Sequence, residues 1–90
     1  MSNPIETKPY RLHVLFFSIL KEKVGRAALQ VSLPPPLTGR DLLDHLTEAY
    51  PVLRPYRNVI RLGVNEEYVE EATPLHDGDE VALITPVSGG

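Results

Sequence analysis

Asp77-Gly78-Asp79-Glu80-Val81-Ala82-Leu83-Ile84 runs directly into Thr85-Pro86-Val87-Ser88-Gly89-Gly90, and the fold turns on how this stretch is read. The Asp-Gly pair marks a tight turn, and the residues after Asp79 alternate as a strand does. Val81 and Leu83 share one face, Ala82 and Ile84 the other, so either choice of inner face leaves two apolar residues outside. A partly apolar outer surface is therefore expected where the strand ends. Pro86 holds its own φ and biases Thr85 toward extended backbone. Residues 85–90 are expected to leave the domain outward, stiff at the base and flexible at the tip. Two residues without Cβ make a thin thread that can enter a narrow channel. With Gly90 last, they carry an α-carboxylate that no side chain shields. The plain alternative is a frayed terminus.

A central strand needs neighbours. Residues 11–17, Arg-Leu-His-Val-Leu-Phe-Phe, are β-rich and apolar from Val14 onward, which predicts a strand buried on most sides beside residues 80–84. His13 reads as a half-exposed strand residue rather than a metal ligand or catalyst. Ser18 is placed to cap a short helix that Gly25 ends, with Ile19, Leu20 and Val24 inside and Lys21 and Lys23 in solvent. Residues 27–33 alternate over Leu29, Val31 and Leu33 as a half-buried strand, and Pro34, Pro35 and Pro36 stop any ladder.

Thr38 opens the clearest helix, with Asp41 completing a variant capping box. Leu42, Leu43, Leu46, Ala49 and Tyr50 form its apolar stripe, Asp44, His45, Thr47 and Glu48 its wet face, and Pro51 ends it. His45 reads as solvated. Residues 52–58 read as a connector. Residues 59–64 follow as a strand with Ile60, Leu62 and Val64 on one side. Asn65-Glu66-Glu67 makes a turn into a brief return strand at Tyr68-Val69. Glu66, Glu67, Glu70 and Glu71 form an acidic cluster without the spacing of an EF-hand. It is expected to be a solvated edge able to meet a basic partner.

With 42% hydrophobic and 23% charged residues over 90 positions, the chain has the make-up of one small globular domain. Its net charge is −3 and its nine basic residues are scattered, so the basic stripe of a nucleic-acid binder is lacking. No apolar run is long enough to span a bilayer, and residues 1–10 do not read as a signal peptide. Cysteine is absent, which excludes disulfides, thiolate catalysis and sulfur-ligated metals by this chain. That composition is compatible with a cytoplasmic location. No metal site, bound cofactor, Gly-rich phosphate loop or nucleophile–base pair is legible.

The order of elements is that of an α+β layer: a mixed sheet of four or five strands covered by one main helix. Residues 1–10 read as an N-terminal arm, 11–84 as the domain and 85–90 as the tail. The outline resembles the ubiquitin-like β-grasp fold. Three places narrow the resemblance. Val14-Leu15-Phe16-Phe17 leads into a helix, Asp77-Gly78-Asp79-Glu80-Val81-Ala82 introduces the last strand, and Pro86-Val87-Ser88-Gly89-Gly90 closes the chain. Together they resemble the small subunits of molybdopterin synthase, the molybdenum-cofactor branch of the ubiquitin-like sulfur carriers, over most of residues 12–90. Many members have a second proline or an aromatic residue just before Pro86, where this chain has Ile84 and Thr85.

The resemblance implies a non-catalytic sulfur-donor subunit. A ubiquitin-activating-like adenylyltransferase would use ATP and magnesium to adenylate Gly90. Sulfur from a donor such as a cysteine desulfurase or rhodanese would displace AMP and leave a thiocarboxylate there. The tail would enter the large subunit of molybdopterin synthase and pass its sulfur to cyclic pyranopterin monophosphate, in two rounds per dithiolene. Gly89 would let the thread pass, Ser88 would lie within it, and Val87 and Pro86 would shape its entry. Ile84, Phe17 and Tyr68 are the candidates for an apolar docking patch, with Phe17 equally readable as core. Three other readings stay open: a carrier serving thiamine, cysteine or tRNA thiolation, a ubiquitin-like modifier of lysines, and an interaction module with an inert tail.

Overall fold

The computed structural model describes residues 8–86. Strand β1 (Tyr10–Phe16) is followed by helix α1 (Ser18–Val24), β2 (Ala28–Leu33), β3 (Leu37–Thr38) and helix α2 (Gly39–Ala49). A 3-10 helix (Pro51–Tyr56), β4 (Arg61–Val64), β5 (Glu67–Val69), β6 (Pro74–Leu75) and β7 (Glu80–Ile84) complete the chain. Five strands make one mixed sheet in the order β2-β1-β7-β4-β5. β1 and β7 are parallel neighbours, as their apolar character predicts, and the other pairs are antiparallel. β3 and β6 form a separate two-stranded ribbon that the sequence does not predict.

One face of the sheet is dry. Leu12, Val14 and Phe16 of β1, Val31 of β2, Leu62 of β4 and Val81 and Leu83 of β7 join Leu20, Leu42, Leu43, Leu46 and Leu53 in a single buried cluster. Fully burying a leucine contributes roughly 1.5–3 kcal/mol, so this cluster is the main favourable term of the fold. The strict alternation along β1 corrects the expectation of a strand buried on most sides. Arg11 and His13 are exposed and Leu15 is half-buried, because only one face of the sheet is covered by helices.

Thr38 caps α2 as predicted. Its hydroxyl accepts from the Asp41 N–H at 3.3 Å, and the Asp41 carboxylate accepts from the Thr38 N–H at 2.8 Å. Leu42, Leu43 and Leu46 are buried and Tyr50 packs edge-on against Phe16, with ring centroids 6.4 Å apart. Ala49 departs from the expected stripe: it closes the last turn with its short side chain exposed. The connector after it is a 3-10 helix, begun by a proline that suits a first helical turn and anchored by the buried Leu53. Val59 and Ile60 donate to the Tyr56 carbonyl, which keeps them out of the ladder and delays β4 to Arg61.

The cap of α1 also differs from expectation. Phe17, not Ser18, takes the extended N-cap position, and its carbonyl accepts from Leu20 N–H at 3.1 Å. Ser18 adopts a left-handed φ of 51°, so its hydroxyl makes no cap. Gly25 ends the helix at φ 86°, donating to the Lys21 carbonyl, as its position predicts. Among the described residues no helix is long and apolar enough to cross a membrane.

Candidate functional site

The outer face of the sheet is where the register of four strands brings small and apolar residues level with one another. Leu15 pairs with Ala82, Ala82 with Gly63, and Gly63 with Tyr68, giving one row across β1, β7, β4 and β5. Two residue pairs further along, on the same face, Ile84 stands opposite Arg61. Phe17 continues the outward alternation of β1 beyond the strand and is 45% exposed. Phe17 is thus on the surface and not in the core.

All of these residues except Arg61 line an open hollow of about 390 Å³. Gly63 and Ala82 form its floor, Phe17, Leu15, Tyr68 and Ile84 its walls, and Glu66, Glu67 and Glu80 its rim. Tyr68, 75% exposed, stands between this hollow and a second groove of about 720 Å³ that reaches Ile84, Arg61 and Pro86. The structure therefore brings Phe17, Tyr68 and Ile84 together around one hollow, and Pro86 lies at the end of the adjoining groove. Val87, Ser88, Gly89 and Gly90 lie outside the described residues.

Leu15, Gly63 and Arg61 are not among the residues the sequence points to, whereas Ala82 is expected to share a face with Ile84. The signal for them was present in the alternation: with Leu62 and Val64 inward, Arg61 and Gly63 face outward, and Leu15 follows from the phase of Val14 and Phe16. What the sequence could not supply is the lateral register that sets them side by side.

The turn beside the hollow is held tightly. Asn65 and Glu66 occupy its centre with φ of 50° and 73°, the two left-handed positions of a type I′ hairpin. The Asn65 amide donates to Asp79 Oδ1 at 2.9 Å and accepts from the Glu80 N–H at 3.0 Å, tying the hairpin to the start of β7. Asp77 accepts from the Arg11 N–H at 2.7 Å, which fixes the Asp-Gly turn against β1.

Glu71 leaves the expected solvated acidic edge. Arg57 forks onto it, donating from Nη1 to Oε2 at 2.9 Å and from Nη2 to Oε1 at 3.1 Å, and also reaches Asp44 at 3.1 Å. Hydrogen bonds from Arg57 hold the Glu71 carboxyl below its ordinary range, against an opposing contribution from burial. The same bonds raise Arg57. This pair is part of the scaffold under α2, away from the hollow. Among the described residues no group of three or more His, Cys, Asp or Glu side chains converges as a metal site. The outer face leaves Phe17 and Tyr68 exposed around this hollow.

These features define a ubiquitin-like β-grasp protein with an apolar outer face beside its exiting C-terminal strand. The chain belongs to the ThiS family, whose model matches residues 14–90. It is 33% identical over 85 residues to the molybdopterin synthase sulfur carrier subunit of Arabidopsis thaliana, spanning 94% of this chain and 88% of that one. Among solved structures it resembles SAMP1, the small archaeal modifier protein 1 of Haloferax volcanii. That match has a TM-score of 0.79 and 30% identity, over 89% of this chain and 99% of that one. Its fold is also that of a chain in a protein–protein complex of subunits 1 and 2 of the molybdopterin-converting factor from Helicobacter pylori. There the TM-score is 0.64 at 23% identity, with 89% and 99% of the chains covered.

Proposed function

We propose that this chain is the sulfur carrier subunit of a molybdopterin synthase. The observation that carries the reading is the 33% identity across 94% of the chain to a relative bearing that name. A carboxylate is a poor acyl donor at neutral pH because its leaving group would be an oxide. A ubiquitin-activating-like adenylyltransferase with ATP and magnesium makes AMP the leaving group at Gly90. A sulfide equivalent from a cysteine desulfurase or rhodanese displaces AMP and leaves the thiocarboxylate. Inside the large subunit that sulfur passes to cyclic pyranopterin monophosphate to build the dithiolene, and water restores the Gly90 carboxylate. This chain supplies the sulfur and a docking surface, and the catalytic groups are the partners'.

Phe17, Tyr68 and Ile84 dock against the large subunit in this reading, and Pro86 directs Val87, Ser88, Gly89 and Gly90 into its channel. Support comes from the hollow the three side chains share and from the Helicobacter pylori protein of the same fold, whose structure is a complex of two subunits. The test is fragment mass spectrometry after incubation with ATP, magnesium, the activating enzyme and a sulfur donor. Replacement of oxygen by sulfur at Gly90 is the expected result. An unmodified Gly90, with an activating enzyme that works on another carrier, counts against it.

The likeness to the small archaeal modifier protein favours one second reading, a modifier joined to lysines. It predicts isopeptide adducts above the free protein in cell lysates, which a dedicated sulfur carrier does not form.

A further inference from the structure

Arg61 occupies the end of the outer face where the chain leaves the sheet. It stands opposite Ile84 in the ladder, two residues before Pro86, and shares a groove with Tyr68, Glu70, Ile84 and Pro86. Its environment differs from that of Arg57 and Arg40, which are both matched to Glu71. Among the described residues Arg61 makes no ion pair within 4.0 Å. At the far end of the same face, Glu66, Glu67 and Glu80 rim the hollow. The face is therefore uneven in charge along its length, with the Arg61 guanidinium near the base of the tail beside Glu70, which lies beyond ion-pair distance, three carboxylates at the other end and an apolar floor between.

A partner that covers this floor also removes water from Arg61. An unpaired guanidinium under a protein surface is strongly unfavourable, and its five donors in a planar fork fit a carboxylate in two-point contact. A lysine or arginine facing Arg61 would be repelled, so the same residue excludes wrongly charged or wrongly oriented partners. We infer that Arg61 is a specificity-determining residue of the docking face, pairing with a carboxylate of the synthase large subunit beside the mouth of the channel that receives the tail. This rests on the docking reading above and adds to it the charge and the orientation of the partner.

The experiment is calorimetric titration of the full-length chain with its own synthase large subunit at low and at physiological salt. Arg61 is exposed, so its variants keep the fold, and thermal melts verify this. Arg61→Leu keeps apolar area and removes charge; it is expected to weaken binding about tenfold and to flatten the salt dependence. Arg61→Glu is expected to weaken it by about a hundredfold, with recovery when the facing carboxylate of the large subunit is changed to lysine. Ile84→Asp is the control for docking itself. If Ile84→Asp abolishes binding while Arg61→Leu stays within about twofold, or weakens it with the original salt dependence, the role of Arg61 is overturned and the docking face stands. If neither variant alters binding, the docking reading fails and this inference with it.

Discussion

Gly63 stands directly opposite Ala82 in the β4–β7 ladder, with Tyr68 and Leu15 level with them on the outer strands of the row. The two smallest residues thus occupy the middle of a row whose ends are large, and the hollow of the outer face is the consequence. A Cβ at Gly63 would meet Ala82 and Ile84 at 3.8 Å and the Glu67 carbonyl at 4.0 Å, all ordinary contacts. Gly63→Ala is expected to leave stability unchanged or raise it by about 0.5–1 kcal/mol, since glycine is disfavoured within strands. Gly63→Phe is expected to fold and to lose binding to the large subunit because the ring fills the hollow. Melting curves and titration check the two halves separately, and wild-type binding by Gly63→Phe would show that no partner group enters there.

Glu66 is held at φ 73°, a left-handed conformation that is unfavourable for residues with a Cβ. Relief of that strain by Glu66→Gly outweighs the greater freedom glycine has in the unfolded chain, for a net gain of about 0.5–1 kcal/mol. A midpoint shift of about 4–8 °C per kcal/mol makes this measurable by thermal denaturation. The same change removes one carboxylate from the rim of the hollow. Stability and partner affinity are therefore expected to move in opposite directions.

The Arg57–Glu71 pair gives stability a definite dependence on acid. Glu71 has its folded pKa below the ordinary carboxylate value of 4.5, chiefly through hydrogen bonds from Arg57. The folded state therefore binds fewer protons than the unfolded state, and the stabilisation is present above 4.5. It is lost as pH falls through the depressed folded value. Glu71→Gln is expected to be less stable at neutral pH, by about 1 kcal/mol after allowance for partial exposure, and to flatten the acid limb below the ordinary carboxylate range. Urea melts from about pH 7 to about pH 3 test this. Equal acid slopes in the two proteins would remove the pair from the account.

Gly39 has no room for a side chain unless its neighbours shift. Its Cβ would collide with the Leu62 side chain and come within 3.2 Å of the Glu71 carbonyl. At this point the first N–H groups of α2 are satisfied by backbone, Gly39 donating to the Thr73 carbonyl at 3.0 Å and Arg40 to Glu71 at 2.8 Å. Gly39→Val would push the helix end off these carbonyls and displace a core leucine. A loss of about 2–3 kcal/mol is expected, from overpacking together with disturbed hydrogen bonds. Chemical denaturation measures it directly. A loss under about 0.5 kcal/mol would mean the β5–β6 loop yields freely.

Much of the fold was legible because its causes are local. The Thr38–Asp41 capping box lies within one turn, Gly25 ends α1 at its own φ, and the alternation of Val81 with Ala82 needs only a strand. Phe17 and Ser18 exchanged roles because the covered inner face sets the phase of β1. Outward alternation carries Phe17 one step past the strand, and only then does the helix begin. Glu71 was misplaced on the wet edge because its partner Arg57 lies 14 residues earlier and meets it only after the 3-10 helix has turned the chain. The ribbon of β3 and β6 was missed for another reason: two-residue strands carry no period of their own.

By itself the sequence determined the main strands and helices, that the first and last strands are central, and that the last one leaves apolar residues outside. It did so because periodicity, capping and turn chemistry act over a few residues. Tertiary structure alone decided that Gly63 lies beside Ala82, that Arg61 faces Ile84, and that Phe17, Tyr68 and Ile84 share one hollow. Those relations depend on the register between strands far apart in the chain, and register is settled only when the whole inner face is buried at once.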